Sequence, residues 1–327
     1  MLVVHYVVKP QDCEASGASR IARQVFGAGE PIPPGAVWID MIQPTQHENQ
    51  EVQDYLRCKI PTRDDPDYVE PPEAYYAEDG VRYLQANVVS EPGVTFVICG
   101  PTLVTVRYDA SASFEIFGRK LCKSRDHAVE PEAVAVGLVY TLVDRSAGAL
   151  GHVGASLDEI GAAVFNAAKG DKTRRTEVYY RTLDALGRED ERISKVRRSL
   201  VSLERLLLFL SAEGRAKKIS KPVRESMKAA LRDLQSLEED ASFKAQKVQF
   251  LLDSTLGFIN LAQNDIIKLF SVLAVIFMPP TLIASNYGMN FKEMPELNWW
   301  FGYPLALFLM VCVAVGPYLF FRWNKWL

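Results

Sequence analysis

The 327-residue sequence has only four histidines and five cysteines, and neither set is spaced for a metal or redox centre. His5, His47, His127 and His152 are scattered, so no H-x-x-x-H pair exists to seat a local metal ion. Cys13, Cys58, Cys99, Cys122 and Cys312 form no C-x-x-C and no even framework, which reads as free thiols in a reducing compartment. G-x-G-x-x-G, the phosphate-binding loop and G-x-S-x-G are also missing, and dinucleotide, nucleotide and serine-hydrolase chemistry go with them. An enzyme is therefore not expected. Excess positive charge is missing too: the net charge is −3 with 24% charged residues, which argues against a nucleic-acid partner. The first eight residues lack a basic lead-in and a small-residue cleavage site, and read as a strand rather than a signal peptide. Asp64-Asp65-Pro66-Asp67 is an acidic run without a following helix, and reads as a solvated turn rather than a cation site.

What is present is a sharp division of hydropathy. Residues 1–265 read as a soluble protein, whereas 266–286 and 299–321 are apolar runs of about the ~20 residues needed to span a membrane. The short linker 287–298 makes them a transmembrane hairpin. Residues 1–130 alternate short apolar runs with turns, and predict strands at 2–8, 36–40, 75–77, 81–89, 94–99 and 102–108. Pro101 argues against a strict two-residue turn between the last two. Residues 44–56 read as a helix with Thr45 as N-cap and Glu48 three residues on. The fold class expected is an α+β cytosolic N-terminal domain, with a mixed or antiparallel sheet, followed by long helices and a two-helix C-terminal transmembrane hairpin.

From Glu130 the residues are helix formers. Pro131 opens a helix to about Leu150, too short and too interrupted by Asp144 and Arg145 to span a membrane, and Ser156 opens the next. Gly187 and Gly214 are expected breaks. Val196, Leu200, Leu203, Leu207 and Leu210 step by four and three, a heptad seam for helices lying along one another. Lys221-Pro222 starts a last helix with no strong break until Pro279, about 57 residues or roughly 85 Å. Such a length suits a stalk feeding a pore, so 131–265 is taken as helical region and stalk.

At about 100° per residue and with Asn260 at zero, Asp253 falls near 20°, Asn264 near 40°, Ser271 near 20°, Thr281 near −60° and Ser285 near −20°. Ile267, Ala274 and Met278 share the arc; Asp265 and Lys268 lie off it. Polar groups within a span face a bundle interior or a water path. Two asparagines and an aspartate in one continuous line point to a hydrated pore. One helix cannot enclose a pore, so the chain must oligomerise.

Gly288-Met289-Asn290 closes the first span. With Phe277-Met278-Pro279, Thr281, Met294-Pro295-Glu296-Leu297 and the closing Lys325-Trp326-Leu327, it resembles the CorA-type divalent-cation channels. The resemblance implies a funnel-shaped homopentamer in a bacterial inner membrane, with the first span lining the axis and Gly288, Met289 and Asn290 as selectivity filter. Ile267, Phe270 and Met278 resemble hydrophobic gate positions, and Asp253 would ring the cytosolic mouth. It also implies a regulatory divalent ion between cytosolic domains; Asp233, Glu238, Glu239 and Asp240 are acidic and near the stalk. Lys292 departs from the pattern, since relatives often carry an acidic residue there. With Glu293 and Glu296 it leaves the outer loop at −1 per subunit. Pro280 beside Pro279 is a second departure, expected to kink the span or loosen its hydrogen bonds.

Arg322 and Lys325 against the loop's single lysine place both termini in the cytoplasm by the positive-inside rule. Trp299, Trp300, Trp323 and Trp326 flank the second span as an interfacial belt would. The reading is a channel for Mg²⁺, with Co²⁺ or Ni²⁺ as passengers. Two rivals stand beside it: a zinc transporter of the same superfamily, proton-coupled or not, and a membrane-anchored sensor or scaffold without flux. Imidazole or soft ligands would favour Zn²⁺, and the polar line holds none but the Met278 thioether.

Overall fold

A computed structural model describes residues 1–8, 20–27, 29–63, 75–89, 91–123, 130–169, 172–213, 219–289 and 300–324. Cys13, His127, the acidic run 64–67, Trp299 and Trp326 lie outside the described residues. The chain divides into two compact units, Met1–Ala163 with Asp184–Phe250, and Val164–Leu183 with Leu251–Leu327.

The first unit is built on a seven-stranded sheet. Its strands are β1 (Leu2–Val8), β2 (Arg20–Phe26), β3 (Ala36–Ile42), β4 (Tyr75–Glu78), β5 (Val81–Val88), β6 (Glu91–Cys99) and β7 (Thr102–Arg107), in the order β2-β1-β3-β7-β6-β5-β4. Only β3 and β7 pair in parallel, so the sheet is mixed. All six residues of β7 and six of seven in β3 are buried, as central strands covered on both faces must be. Their polar members are consequently paired: the Arg107 Nη2–Asp40 Oδ2 distance is 2.9 Å, and Thr105 Oγ1 donates to Asp40 at 2.8 Å while accepting from Trp38 Nε1 at 3.0 Å.

Strand β2 was not expected. It is an edge strand in which Arg23, Gln24 and Val25 are all exposed, and it lacks the β-branched run that marks the others. The β6–β7 connection corrects a second expectation: Cys99 pairs with Thr102, leaving Gly100-Pro101 as a two-residue loop. Gly100 supplies φ 55°, and Pro101 follows at its obligatory negative φ, the sign pattern of a type II′ turn. Helix α1 (Gln46–Leu56) carries the expected capping box between Thr45 and Glu48. Helix α2 (Ala112–Lys123) was also missed, although Phe114, Phe117 and Leu121 bury one face of it.

Three long helices follow. Helix α3 is Pro131–Lys169, without the break expected before Ser156, and α4 is Lys172–Glu213, running straight through Gly187. A single glycine costs only about 1 kcal/mol against alanine, too little to interrupt a helix held by its packed seam. In that seam Val196, Leu200, Leu203, Leu207 and Leu210 are all buried. Helix α5 is Lys221–Tyr287, 67 residues, or about 100 Å, and it continues through Pro279 and Pro280. Helix α6 is Gly302–Trp323. In the first unit Ser156 donates to Glu189 at 2.9 Å, tying α3 to α4, and Lys247 pairs with Asp158, tying α5 to α3.

Among the described residues three helices, not two, are long and apolar enough to cross a membrane: α3, α5 and α6. Burial separates them. The most apolar window of α3 is 56% buried, against 6% in α5 and none in α6. Helix α3 is apolar because it is core.

Candidate ion path

The C-terminal part of α5 is built so that its two faces differ. On the helical wheel with Asn260 at zero, Leu251, Thr255, Phe258 and Val272 fall at about 180°, −140°, 160° and 120°. Leu251, Thr255 and Val272 are buried, and Phe258 meets Phe165 edge-on at 5.9 Å and stacks on Tyr179 at 6.2 Å. The sequence-derived line of Asp253, Asn260, Asn264, Ser271, Thr281 and Ser285 lies on the other side, and every member is exposed. Ile267, Phe270 and Met278 are exposed at 61%, 65% and 69%. Around 251–258 the polar line thus points away from the packed face; within the apolar run the far side is exposed too, with Leu269 at 53% and Leu273 at 39%.

Two hydroxyls on this line, those of Ser271 and Thr281, are already spoken for as donors. Ser271 Oγ donates to the Ile267 carbonyl at 2.8 Å, and Thr281 Oγ1 to the Phe277 carbonyl at 2.7 Å. Each hydroxyl has one proton and two lone pairs, so what it offers outward is acceptor character. Acceptors suit the outward-pointing protons of a hydrated cation. Pro279 and Pro280 fall at about 100° and −160°, off this line. Lacking N–H groups, they leave the Val275 and Ile276 carbonyls without their i+4 donors. The loosened bonds expected here are therefore present. The break expected at Pro279 is not: the helix reaches Tyr287. One residue was missed. Gln263, at about −60° on the same wheel, is polar, exposed and within the arc.

At the end of α5, Gly288 N–H donates to the Ala284 carbonyl at 2.9 Å and Met289 N–H to Asn286 at 3.4 Å. The expected reason for glycine was a tight turn. Gly288 is not among the positive-φ residues; a Cβ there would sit 3.1 Å from the Ala284 carbonyl oxygen. Close approach, not backbone handedness, favours glycine at this position. Asn290, Lys292, Glu293 and Glu296 lie outside the described residues.

The family model described as CorA-like Mg²⁺ transporter protein matches residues 34–323. The chain belongs to the CorA-like Mg²⁺ transporter family. Among its relatives, the magnesium transport protein CorA of Sodalis glossinidius (strain morsitans) is 32% identical over 300 residues, covering 89% of this chain and 92% of that one. The protein of the same name from Escherichia coli (strain K12) is 31% identical over 319 residues, covering 94% and 97%. The fold is similar to the complete structure of the CorA magnesium transporter from Methanocaldococcus jannaschii, with a TM-score of 0.71 at 18% identity, over 100% of this chain and 99% of that one.

In this CorA-like chain the four carboxylates singled out as regulatory candidates, Asp233, Glu238, Glu239 and Asp240, all lie on α5. No three His, Cys, Asp or Glu side chains form a metal cluster among the described residues. Asp240 is taken up by Lys244 one turn on. Glu238 and Glu239 line a cleft of about 490 Å³ with Arg197, Gln235, Ser242 and Gln246. Burial, then the neighbouring Glu204 carboxylate, hold the Glu238 carboxyl above its ordinary range against the pull of Arg197. Asp233 stands apart near Tyr140, whose phenol is raised first by burial and then by that charge. Trp300 and Trp323 bracket α6 at 92% and 84% exposure.

Proposed function

We propose that this protein is an oligomeric, pentameric channel that conducts Mg²⁺, with Co²⁺ and Ni²⁺ as further passengers, across the inner membrane. Copies of α5 surround the axis, and both termini are cytoplasmic. The observation that carries the reading is the polar line along the unbroken α5, exposed at every member, where other copies can bring the same line to a common path. Mg²⁺ gives up its waters reluctantly and is held best through oxygen acceptors outside its water shell. The back-bonded hydroxyls of Ser271 and Thr281 and the carboxamides of Asn260 and Asn264 are acceptors of that kind. Gly288, Met289 and Asn290 form the selectivity ring, in which Asn290 offers oxygen without fixed charge. Lys292, Glu293 and Glu296 set the potential at the outer mouth. Ile267, Phe270 and Met278 close the path by excluding water when they narrow, and Asp253 concentrates cations at the inner mouth.

The test is dye-reported Mg²⁺ and Zn²⁺ influx into proteoliposomes, beside an Asn290→Ala variant. Mg²⁺ entry that disappears in the variant supports the channel and its filter. Zn²⁺ entry alone, driven by a pH gradient, replaces this reading with a zinc transporter. Absence of flux for either ion, where an E. coli CorA control conducts, leaves an anchored sensor.

A further inference from the structure

Two of the five cysteines, far apart in the chain, meet in the first unit. Cys58 follows α1 directly: Arg57 closes that helix in the left-handed conformation, φ 55°, its N–H donating to the Gln53 carbonyl, and Cys58 is the next residue. Cys99 ends β6, opposite Thr102 across the tight turn into β7. Two hydrogen bonds hold the segment around Cys58 on the sheet. The Cys99 thiol donates to the Leu56 carbonyl at 3.6 Å, and the Tyr83 hydroxyl donates to the Lys59 carbonyl at 3.0 Å. Tyr83 lies on β5 opposite Val97, two residues before Cys99. Cys58 is thus bracketed by two carbonyls, each fixed to the strand pair that carries Cys99. Its thiol hydrogen-bonds to the Cys99 sulfur, and both side chains are part-buried against the same apolar cluster of the sheet.

Neither thiol belongs to the ion path, and no third His, Asp or Glu completes a metal cluster with them among the described residues. Burial first, and then the hydrogen bond with Cys99, hold the Cys58 thiol above its ordinary range. Only a thiolate attacks a disulfide, so the pair rests as a dithiol in a reducing pool and reacts when an oxidant accumulates.

We infer that Cys58 and Cys99 form a reversible dithiol–disulfide pair, a redox-closed strap joining the exit of α1 to the end of β6. The oxidant is a small-molecule disulfide of the glutathione type. One protein thiolate attacks a sulfur of that disulfide, forms a mixed disulfide and releases one small thiol, which takes the proton that the protein thiol gave up. The second protein thiolate attacks the protein sulfur of the mixed disulfide and releases the second small thiol with its proton. The protein loses two electrons and two protons, and the small disulfide gains both. Bonding draws the two sulfurs from hydrogen-bond contact to about 2.05 Å, and the Cys99–Leu56 hydrogen bond goes with the proton. The closed loop restrains the unfolded chain, so the oxidised sheet is the more stable form.

The experiment treats the full chain in detergent micelles with oxidised glutathione and maps its peptides by mass spectrometry without reduction, beside Cys58→Ser and Cys99→Ser. A peptide linking Cys58 to Cys99, lighter by two hydrogens, should become the main product in the wild type and disappear with dithiothreitol. It should form roughly tenfold faster at pH 8 than at pH 7, as the thiolate fraction rises. Each serine variant should stop at the mixed disulfide on its remaining cysteine. The urea midpoint of the N-terminal sheet should rise on oxidation of the wild type and stay unchanged in both variants. Both thiols still free in the folded wild type, when the urea-unfolded chain reacts, overturn the inference. So does a mixed disulfide that persists on wild-type Cys58 or Cys99, or a linkage between chains as the main product. The wild-type map decides by itself if a serine variant fails to fold.

Discussion

His5 should make the N-terminal sheet acid-sensitive, by an amount that can be worked out. Its ring is 1% exposed on β1, stacked on Trp38 at 4.4 Å and 12°, and neither ring nitrogen has a hydrogen-bond partner. Burial chiefly, and the Arg23 charge on β2 secondarily, lower its pKa from 6.5 to about 4, which the Trp38 backbone offsets only in part. The unfolded chain therefore binds a proton that the folded chain refuses throughout the interval between those values. Stability is full above about pH 7.5, falls as pH drops through 6.5, and levels off below about 4. Linkage gives a loss of about 2 kcal/mol at pH 5 and about 3 kcal/mol at pH 4 relative to pH 8. His5→Phe keeps a flat ring against Trp38 and removes the titration. The assay is urea unfolding of the detergent-solubilised chain from pH 8 to pH 4, read by Trp38 fluorescence with Trp299, Trp300, Trp323 and Trp326 replaced by Phe in both proteins. The gap between His5→Phe and wild type should widen by about 2 kcal/mol between pH 8 and pH 5. Parallel stability profiles would refute the reasoning, because they would mean that His5 is protonated or solvated in the folded state.

Other consequences follow from named contacts. Thr281→Val keeps the shape of the side chain but removes both the back-bond to Phe277 and the outward acceptor; Mg²⁺ influx should fall by about tenfold, a loss of about 1.4 kcal/mol at the barrier, while Thr281→Ser keeps most of the flux. If valine conducts like threonine, the acceptor role of that hydroxyl is wrong. Arg107→Met strands the Asp40 carboxylate in the sheet and should cost about 3–5 kcal/mol of stability, whereas Arg107→Met with Asp40→Leu should recover most of it. Equal denaturation midpoints for the single and double variants would show that the pair is not coupled. Gly288→Ala must push a Cβ against the Ala284 carbonyl at 3.1 Å, so Mg²⁺ flux should drop with the thermal midpoint of the first unit unchanged. A falling midpoint would point to a folding role instead.

The polar line on α5 is legible in the residue order alone because it depends only on helical periodicity, and a 100° step holds along any unbroken helix. The heptad seam of α4 and the capping box at Thr45 are legible for the same reason: each is a relation between residues three or four apart. Strand β2 is not, because its place at the sheet edge depends on pairing with β1 rather than on its own apolar pattern. The apolarity of α3 can be weighed only by burial, since a core helix and a spanning helix share a composition. Gly187 and the Pro279-Pro280 pair read locally as breaks, yet the helices run through them, in α4 with a packed seam on the far side of Gly187. Local sequence thus determined which faces exist and what chemistry they carry. Tertiary structure alone decided which face α5 spends on Phe165 and Tyr179 and which it leaves outward, because that choice rests on contacts between residues nearly a hundred positions apart.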